Sequence, residues 1–306
     1  MGFFMMSTRS AALLAVPESK LSVLVDLFSL TKPRLSSLVI FTSALGLFLA
    51  PGSMSYWQIF VAILATSGLV GGACVINCYM EKEIDAKMER TSSRPLPSGR
   101  LSSELALSFG LGLITVCLLA LWMTINTLTA ALGFTAAVVY IFLYTPMKRK
   151  TSWALFAGAI PGAIPPLMGW TAMSGEVSAM GWALFGILFV WQLPHFLSIS
   201  MYHMEDYKKA DIKIFPVLIG MRGTLHRIVV WTLVLWAVSL TPYFLGFAHE
   251  GYLVLSCLVG AFFSVFALRG YRYPVDSPEL MKWSRGYFYG SLVYLPVIFI
   301  GLLILK

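Results

Sequence analysis

A chain of 306 residues with 58% hydrophobic and only 12% charged side chains, and a mean hydropathy of +0.80, is not a soluble globular domain, because such domains carry about 25% charged residues. The composition is that of a polytopic membrane protein, so the net charge of +8 reads as basic cytoplasmic loops and not as a nucleic-acid footprint. The four cysteines, Cys74, Cys78, Cys117 and Cys257, lie in or beside apolar segments and build neither a disulfide framework nor a complete zinc set.

In chain order, residues 1–34 read as a cytoplasmic segment. Residues 11–16 are apolar but too few to span, and residues 21–30 read as a surface helix that Pro33 ends. Residues 35–306 form one transmembrane domain. A span needs about 20 apolar residues, somewhat fewer where the flanks snorkel. Stretches at 35–50, 57–76, 105–123, 128–144, 153–173, 180–201, 228–246, 252–268 and 288–305 meet that need, which predicts nine helices. The fifth carries Gly158, Pro161, Gly162, Pro165 and Pro166, and a kink is expected there.

Loop charge sets the orientation. With the N-terminus inside, every Lys and Arg except Lys306 falls on the inner side, and the outer loops hold none. The expected topology is therefore N-in and C-out, in a bacterial-type cytoplasmic (inner) membrane.

Two inner loops carry acids directly at a helix end. The first spans residues 77–100, where Asn77, Glu81 and Asp85 are spaced four apart and share a face if the helix continues. An amide oxygen and two carboxylates form a hard oxygen site suited to Mg²⁺, which takes one or two carboxylates plus substrate phosphate oxygens. Arg90, Arg94 and Arg100 follow and can neutralise a phosphate. The second cluster, Glu205 and Asp206 beside His203, ends the sixth span. Four helices separate the two, a spacing that suggests a repeated four-helix unit bringing both clusters to one cavity, with Lys148, Arg149 and Lys150 facing them. A plainer reading stands beside this one, in which the acids pair in solvent with Lys82, Lys87 or Arg90.

Several runs in order carry a family likeness. They are Asn77 with Glu81, Glu83, Ile84, Asp85, Lys87, Met88, Arg90, Thr91, Arg94 and Pro95; Tyr144-Thr145 with Lys148-Arg149-Lys150-Thr151; Pro165-Pro166-Leu167 with Gly169-Trp170; Trp191-Gln192 with Pro194-His195-Phe196; and Asp206-Tyr207 with Ala210. From Thr31-Lys32-Pro33-Arg34 to the last span, the chain resembles the intramembrane prenyltransferases of the UbiA superfamily, and within them the branch that farnesylates protohaem IX. It departs in having Glu81 and Glu83 where that family usually has Asp, and Asp211 where it usually has Gly. Glu keeps the charge and adds one methylene of reach.

The resemblance implies an all-α bundle of nine transmembrane helices around a central cavity open to the cytoplasmic side. It also implies transfer of a farnesyl group from farnesyl diphosphate to the vinyl group of haem B, giving haem O for terminal oxidases, whose assembly factors would be partners besides the bilayer. In that frame Asn77, Glu81, Asp85, Glu205 and Asp206 are the expected Mg²⁺ ligands, and Asn77, Arg90, Arg94, Lys148 and Arg149 the diphosphate contacts. Asp85, Asp206 and Arg94 are the residues on which ionisation of the donor should depend. Trp57, Tyr140, Phe142, Trp191 and Phe196 offer aromatic faces for an allylic cation, though such residues also face lipid.

His195 lies within the sixth span, where an unpartnered imidazole is costly and a functional role is expected; the resemblance makes it the expected haem-binding residue, through an iron contact or by orienting the acceptor. Its alternative role is a hydrogen bond to a carbonyl freed by Pro194. Rival readings are a quinone or chlorophyll prenyltransferase, a cation-coupled transporter, and a haem-handling assembly protein. A transporter should hold its acids near mid-span, whereas here they sit at helix ends.

Overall fold

The computed structural model describes residues 20–275 and 277–306, and all its regular elements are helices. They are α1 (Lys20–Leu30), α2 (Pro33–Leu49), α3 (Tyr56–Met80), α4 (Lys82–Asp85), α5 (Ser103–Thr124), α6 (Thr127–Val138), α7 (Thr145–Lys150), α8 (Ala154–Ser174), α9 (Ala179–Tyr202), α10 (Met204–Lys209), α11 (Phe215–Ser239), α12 (Thr241–Phe244), α13 (Glu250–Leu268) and α14 (Pro278–Ile304). A π-helical segment, Val139–Tyr144, joins α6 to α7 in one continuous rod.

Long helices start where the sequence supplies a cap. Ser55 and Gln58 form a reciprocal capping box at α3, and Ser102, Asn126, Ser178 and Ser277 each accept a backbone N–H at α5, α6, α9 and α14. Among the described residues, seven helical rods are long and apolar enough to cross a membrane: α3, α5, α6 to α7, α9, α11 to α12, α13 with its terminal turn, and α14. Two of the expected spans fall short of that measure. α2 has 17 residues, at the lower limit for crossing. α8 is long enough but diluted by Pro161, Pro165 and Pro166, and most of it is buried by protein, so lipid makes less demand on its composition.

α8 continues as one helix through all three prolines. It lies against α2 through small residues: a Cβ on Gly46 would strike the Pro166 carbonyl, and one on Gly169 the Ser43 carbonyl. Such close backbone approach is how helices pack where hydrophobic driving force is weak.

Two expected boundaries shift. α11 begins at Phe215 and not near residue 228, and α14 begins at Pro278 and not near residue 288. Hydropathy stops at the first cation, but the helices do not. Arg227 lies over the Phe215 ring (4.8 Å) and Arg285 over the Tyr202 ring (5.5 Å), so these long side chains cover aromatic surface while the backbone stays helical. α11 also contains a break at Gly220 (φ 73°).

The stretch at 21–30 is helical, as α1. Leu21, Leu24, Val25 and Phe28 are exposed along it, while Leu27 and Leu30 pack with Val75, Leu96 and Ala106. The apolar run at 11–16 lies outside the described residues.

Candidate active site

α3 ends at Met80, and Glu81 (φ −98°, ψ 5°) leaves regular helical geometry before α4 resumes at Lys82. The i→i−4 bonds survive the break: Glu81 N–H donates to Asn77 O (2.9 Å) and Asp85 N–H to Glu81 O (2.8 Å). Asn77, Glu81 and Asp85 therefore stay in line, and all three are buried.

Burial of carboxylates demands partners. Asp85, 2% exposed, accepts from Arg94 at 2.8 Å through Oδ2. Glu81, 4% exposed, accepts from Lys148 Nζ at 3.0 Å through Oε2. Glu81 Oε1 is buried and has no hydrogen-bond partner among the described residues. Asn77 takes another role: its Oδ1 accepts from Lys32 Nζ (3.0 Å) and its Nδ2 donates to Thr145 Oγ1 (3.1 Å), which ties α3 to the α1–α2 joint and to α7.

These groups stand at one end of a cavity of about 470 Å³. Lys32, Glu81, Asp85, Arg90, Arg94 and Lys148 line that end. Its wall then becomes apolar and aromatic. Tyr140 and Tyr144, stacked at 5.2 Å on the π-helical segment, line it, with the Tyr144 ring lying over Gly158, where a Cβ would collide with it. Trp191, Gln192, His195 and Phe196 of α9 also line it.

His195 is held on three sides: Nδ1 is 2.7 Å from Ser291 Oγ, Trp191 stacks on the ring at 4.5 Å, and Phe288 lies 4.8 Å away. The Ser291 hydroxyl is the ring's hydrogen-bond partner, so the carbonyl alternative posed by Pro194 is not the contact made.

The second acidic segment packs against the first. Ala210 and Ile212 form a small core with Ile84 and Met88, and Arg90 lies 5.6 Å over the Tyr207 ring. This is the juxtaposition expected from the spacing, but the acids themselves are placed differently. Glu205 is exposed, Asp206 is half-buried, and neither lines the cavity, to which this segment contributes Tyr207 and residues 212–215. Asp206 faces His203, with Nδ1 4.0 Å from Oδ2. Burial lowers the His203 pKa from its usual 6.5, reinforced by Arg90 and opposed by Asp206. Among the described residues, no three His, Cys, Asp or Glu side chains gather at metal-binding spacing.

Arg149 is exposed and off the cavity wall, and Asn77 stands behind it. Arg100 pairs instead with Asp26 of α1 (3.2 Å). Trp57 and Phe142 are exposed on the outside of the bundle. Asp211 sits at φ 52°, the left-handed region that favours glycine, which accounts for the usual residue there.

Reading the sequence does not single out Lys32 as a site residue, yet its side chain lines the cavity beside Asn77. The available signal was a lysine directly preceding a helix-starting proline at the edge of an apolar stretch.

The description "UbiA prenyltransferase family" matches residues 39–292. The chain is 44% identical to the protoheme IX farnesyltransferase of Anaeromyxobacter dehalogenans over 92% of its own length and 94% of that protein. It is 42% identical to the protoheme IX farnesyltransferase of Myxococcus xanthus, over 93% and 96%. Its fold matches that of a digeranylgeranylglyceryl phosphate synthase with a TM-score of 0.75 at 17% identity, covering 92% of this chain and 97% of the other. A UbiA homolog from Archaeoglobus fulgidus bound to GPP and Mg²⁺ matches with a TM-score of 0.64 at 18% identity, over 90% and 99%. With the family matched over most of its length and close relatives covered almost end to end, the chain belongs to the UbiA prenyltransferase family.

Proposed function

We propose that this prenyltransferase moves the farnesyl group of farnesyl diphosphate onto the vinyl group of haem B, forming haem O. The observation that carries this reading is one cavity whose wall holds both a cation-and-carboxylate group and aromatic residues, with the buried His195 among them. The names of the relatives that match nearly end to end support it.

Glu81 and Asp85 fit a Mg²⁺ ion. They are buried oxygen donors, and Glu81 Oε1 has no hydrogen-bond partner among the described residues. The ion would supply charge neutralisation to a departing diphosphate. Lys32, Arg94 and Lys148 add the same stabilisation from the protein, where charge grows on the leaving oxygens. Asn77 steadies Lys32, and Asp85 steadies Arg94. Asp206 and Glu205 act from the rim, beside the diphosphate. Tyr140 and Tyr144 offer π faces to the allylic cation in a wall that excludes water. His195 positions the haem and takes no part in ionising the donor.

We also infer nine spans, with α2 and α8 crossing beside the seven longer rods. The chain runs N-in and C-out in a bacterial-type inner membrane, with residues 35–306 as one domain and the charged cavity end towards the cytoplasm. Reporter fusions test this: Ser53, Thr124 and Gly175 should report the outer face, and Arg94, Arg149 and Lys209 the inner face. An outer signal at Arg94 overturns the orientation. The activity is tested with membranes given farnesyl diphosphate, haem B and Mg²⁺, the pigments being resolved chromatographically. A new farnesylated haem supports the reading, while a product formed only with a quinone precursor or chlorophyllide replaces it.

A further inference from the structure

Ser291 on α14 is fully buried and does not line the cavity, yet three hydrogen bonds meet at it. Trp191 Nε1–H donates to its backbone carbonyl (2.8 Å), its own Oγ–H donates to the Phe288 carbonyl (2.6 Å), and His195 Nδ1 lies 2.7 Å from Oγ. A serine hydroxyl has one hydrogen and two lone pairs. With that hydrogen on Phe288 O, Oγ can only accept from His195. The Nδ1 atom therefore carries the ring proton, and Nε2 keeps its lone pair.

The ring cannot easily turn to undo this. It is stacked on Trp191 at an interplanar angle of 23° and closed by Phe288 and Phe196. Nδ1 faces α14, so the opposite edge of the ring is the one presented to the cavity that His195 lines. A histidine whose far nitrogen is fixed as a donor to a neighbouring oxygen is the arrangement that prepares an imidazole for a metal.

We propose that Ser291 is a positioning residue that holds His195 as the Nδ1–H tautomer, so that its Nε2 lone pair is offered to the iron of the haem substrate. This rests on the haem-directed reading above.

The geometry supplies its own control. Ser284, two turns earlier on α14, donates its Oγ–H to Ser198 O of α9 at 2.8 Å, so it joins the same two helices without touching His195. The Trp191 bond goes to the Ser291 backbone and survives Ser291→Ala, and alanine suits a helix interior.

The test is haem titration of the purified protein, followed by the Soret band, with metal-free protoporphyrin and farnesyl diphosphate titrated in parallel. Ser291→Ala should weaken haem binding about tenfold or more and shift the Soret band. Metal-free porphyrin and farnesyl diphosphate affinities should stay unchanged, and Ser284→Ala should match the parent protein in all of them. In a His195→Ala background, Ser291→Ala should cause no further loss. The inference is overturned by unchanged haem binding in Ser291→Ala, by an equal loss in Ser284→Ala, by an equal loss for metal-free porphyrin, or by additivity with His195→Ala. A parent protein that binds no haem overturns the haem-directed reading as well, whereas haem binding and transfer that ignore Ser291 sink this inference alone.

Discussion

The two acidic segments look alike in sequence, each ending a long apolar helix, yet the protein treats them differently. Glu81 and Asp85 are buried, and each is matched to a cation brought from elsewhere in the chain, Lys148 from α7 and Arg94 from the loop. Glu205 and Asp206 lie on a short helix begun after a break at His203 (φ −111°, ψ 18°), and they keep contact with solvent. A carboxylate kept in a low-dielectric site costs several kcal/mol unless it is compensated. The first segment holds that compensation in place, and the second avoids the cost by staying at the surface. Charge clustering marks both places, but only burial with a counter-cation marks the built one.

That contrast predicts an order of effects. Asp85→Asn should lower turnover by about 10³-fold or more, since it removes a cavity carboxylate and unpairs Arg94 where leaving-group charge develops. Asp206→Asn should cost about 10- to 100-fold, because it acts from the rim. Both are read as initial rates of farnesyl transfer, normalised to folded protein in the membrane. Reversal of the order would mean that the half-buried segment is the true ionising centre.

Glu81 sharpens the comparison further. Glu81→Ala should lower turnover about 100-fold and raise the Mg²⁺ concentration needed for half-maximal rate. Glu81→Asp should remain within about tenfold of the parent, since it keeps the charge. If Glu81→Ala changes the rate but leaves the Mg²⁺ dependence alone, Glu81 serves Lys148 and not the metal.

Much of this was open to reading in the sequence because a bilayer simplifies the problem. Long apolar rods follow from transfer energetics alone, and α3, α5, α9 and α13 fall close to where hydropathy puts them. The i, i+4 alignment of Asn77, Glu81 and Asp85 also followed from spacing, even though the helix breaks at Glu81. What spacing could not give was which way groups turn after a break. Arg149 is adjacent to Lys148 but exposed, and Glu205 and Asp206 lie off the wall that Tyr207 joins. Lys32 enters the cavity through a joint with φ 52°, a backbone choice that no periodicity announces.

A smaller effect should appear with pH. Burial, with Arg90, holds the His203 pKa below 6.5, so its neutral form is favoured by folding. Above that value neither the folded nor the unfolded state binds the proton, and the neutral environment carries no penalty. As pH falls below 6.5 the unfolded chain protonates first, and stability is lost until pH passes through the folded-state value. His203→Gln should flatten part of the melting-temperature decline that sets in as pH falls below 6.5. An unchanged decline would place the acid sensitivity elsewhere.

The smallest expected change lies at Asp211, where the second segment departs most visibly from its family pattern. Its φ of 52° is tolerable for aspartate, whose short side chain can serve the local backbone, but costs more for larger residues. Among the described residues its charged contact is an exposed one with Lys213 at 3.4 Å, and such pairs contribute little. Asp211→Gly relieves the backbone and surrenders that weak pair, while glycine gains freedom in the unfolded chain. The net expectation is a stability change within about 0.5 kcal/mol, with turnover unaltered. Asp211→Val keeps the volume on the surface but adds a β-branch at positive φ, and should destabilise by more than about 1 kcal/mol. Thermal melts of the two variants beside the parent decide it. Should valine be tolerated as well as glycine, the left-handed turn is not what constrains this position, and the second segment owes its place to the Ile84, Met88, Ala210 and Ile212 core alone.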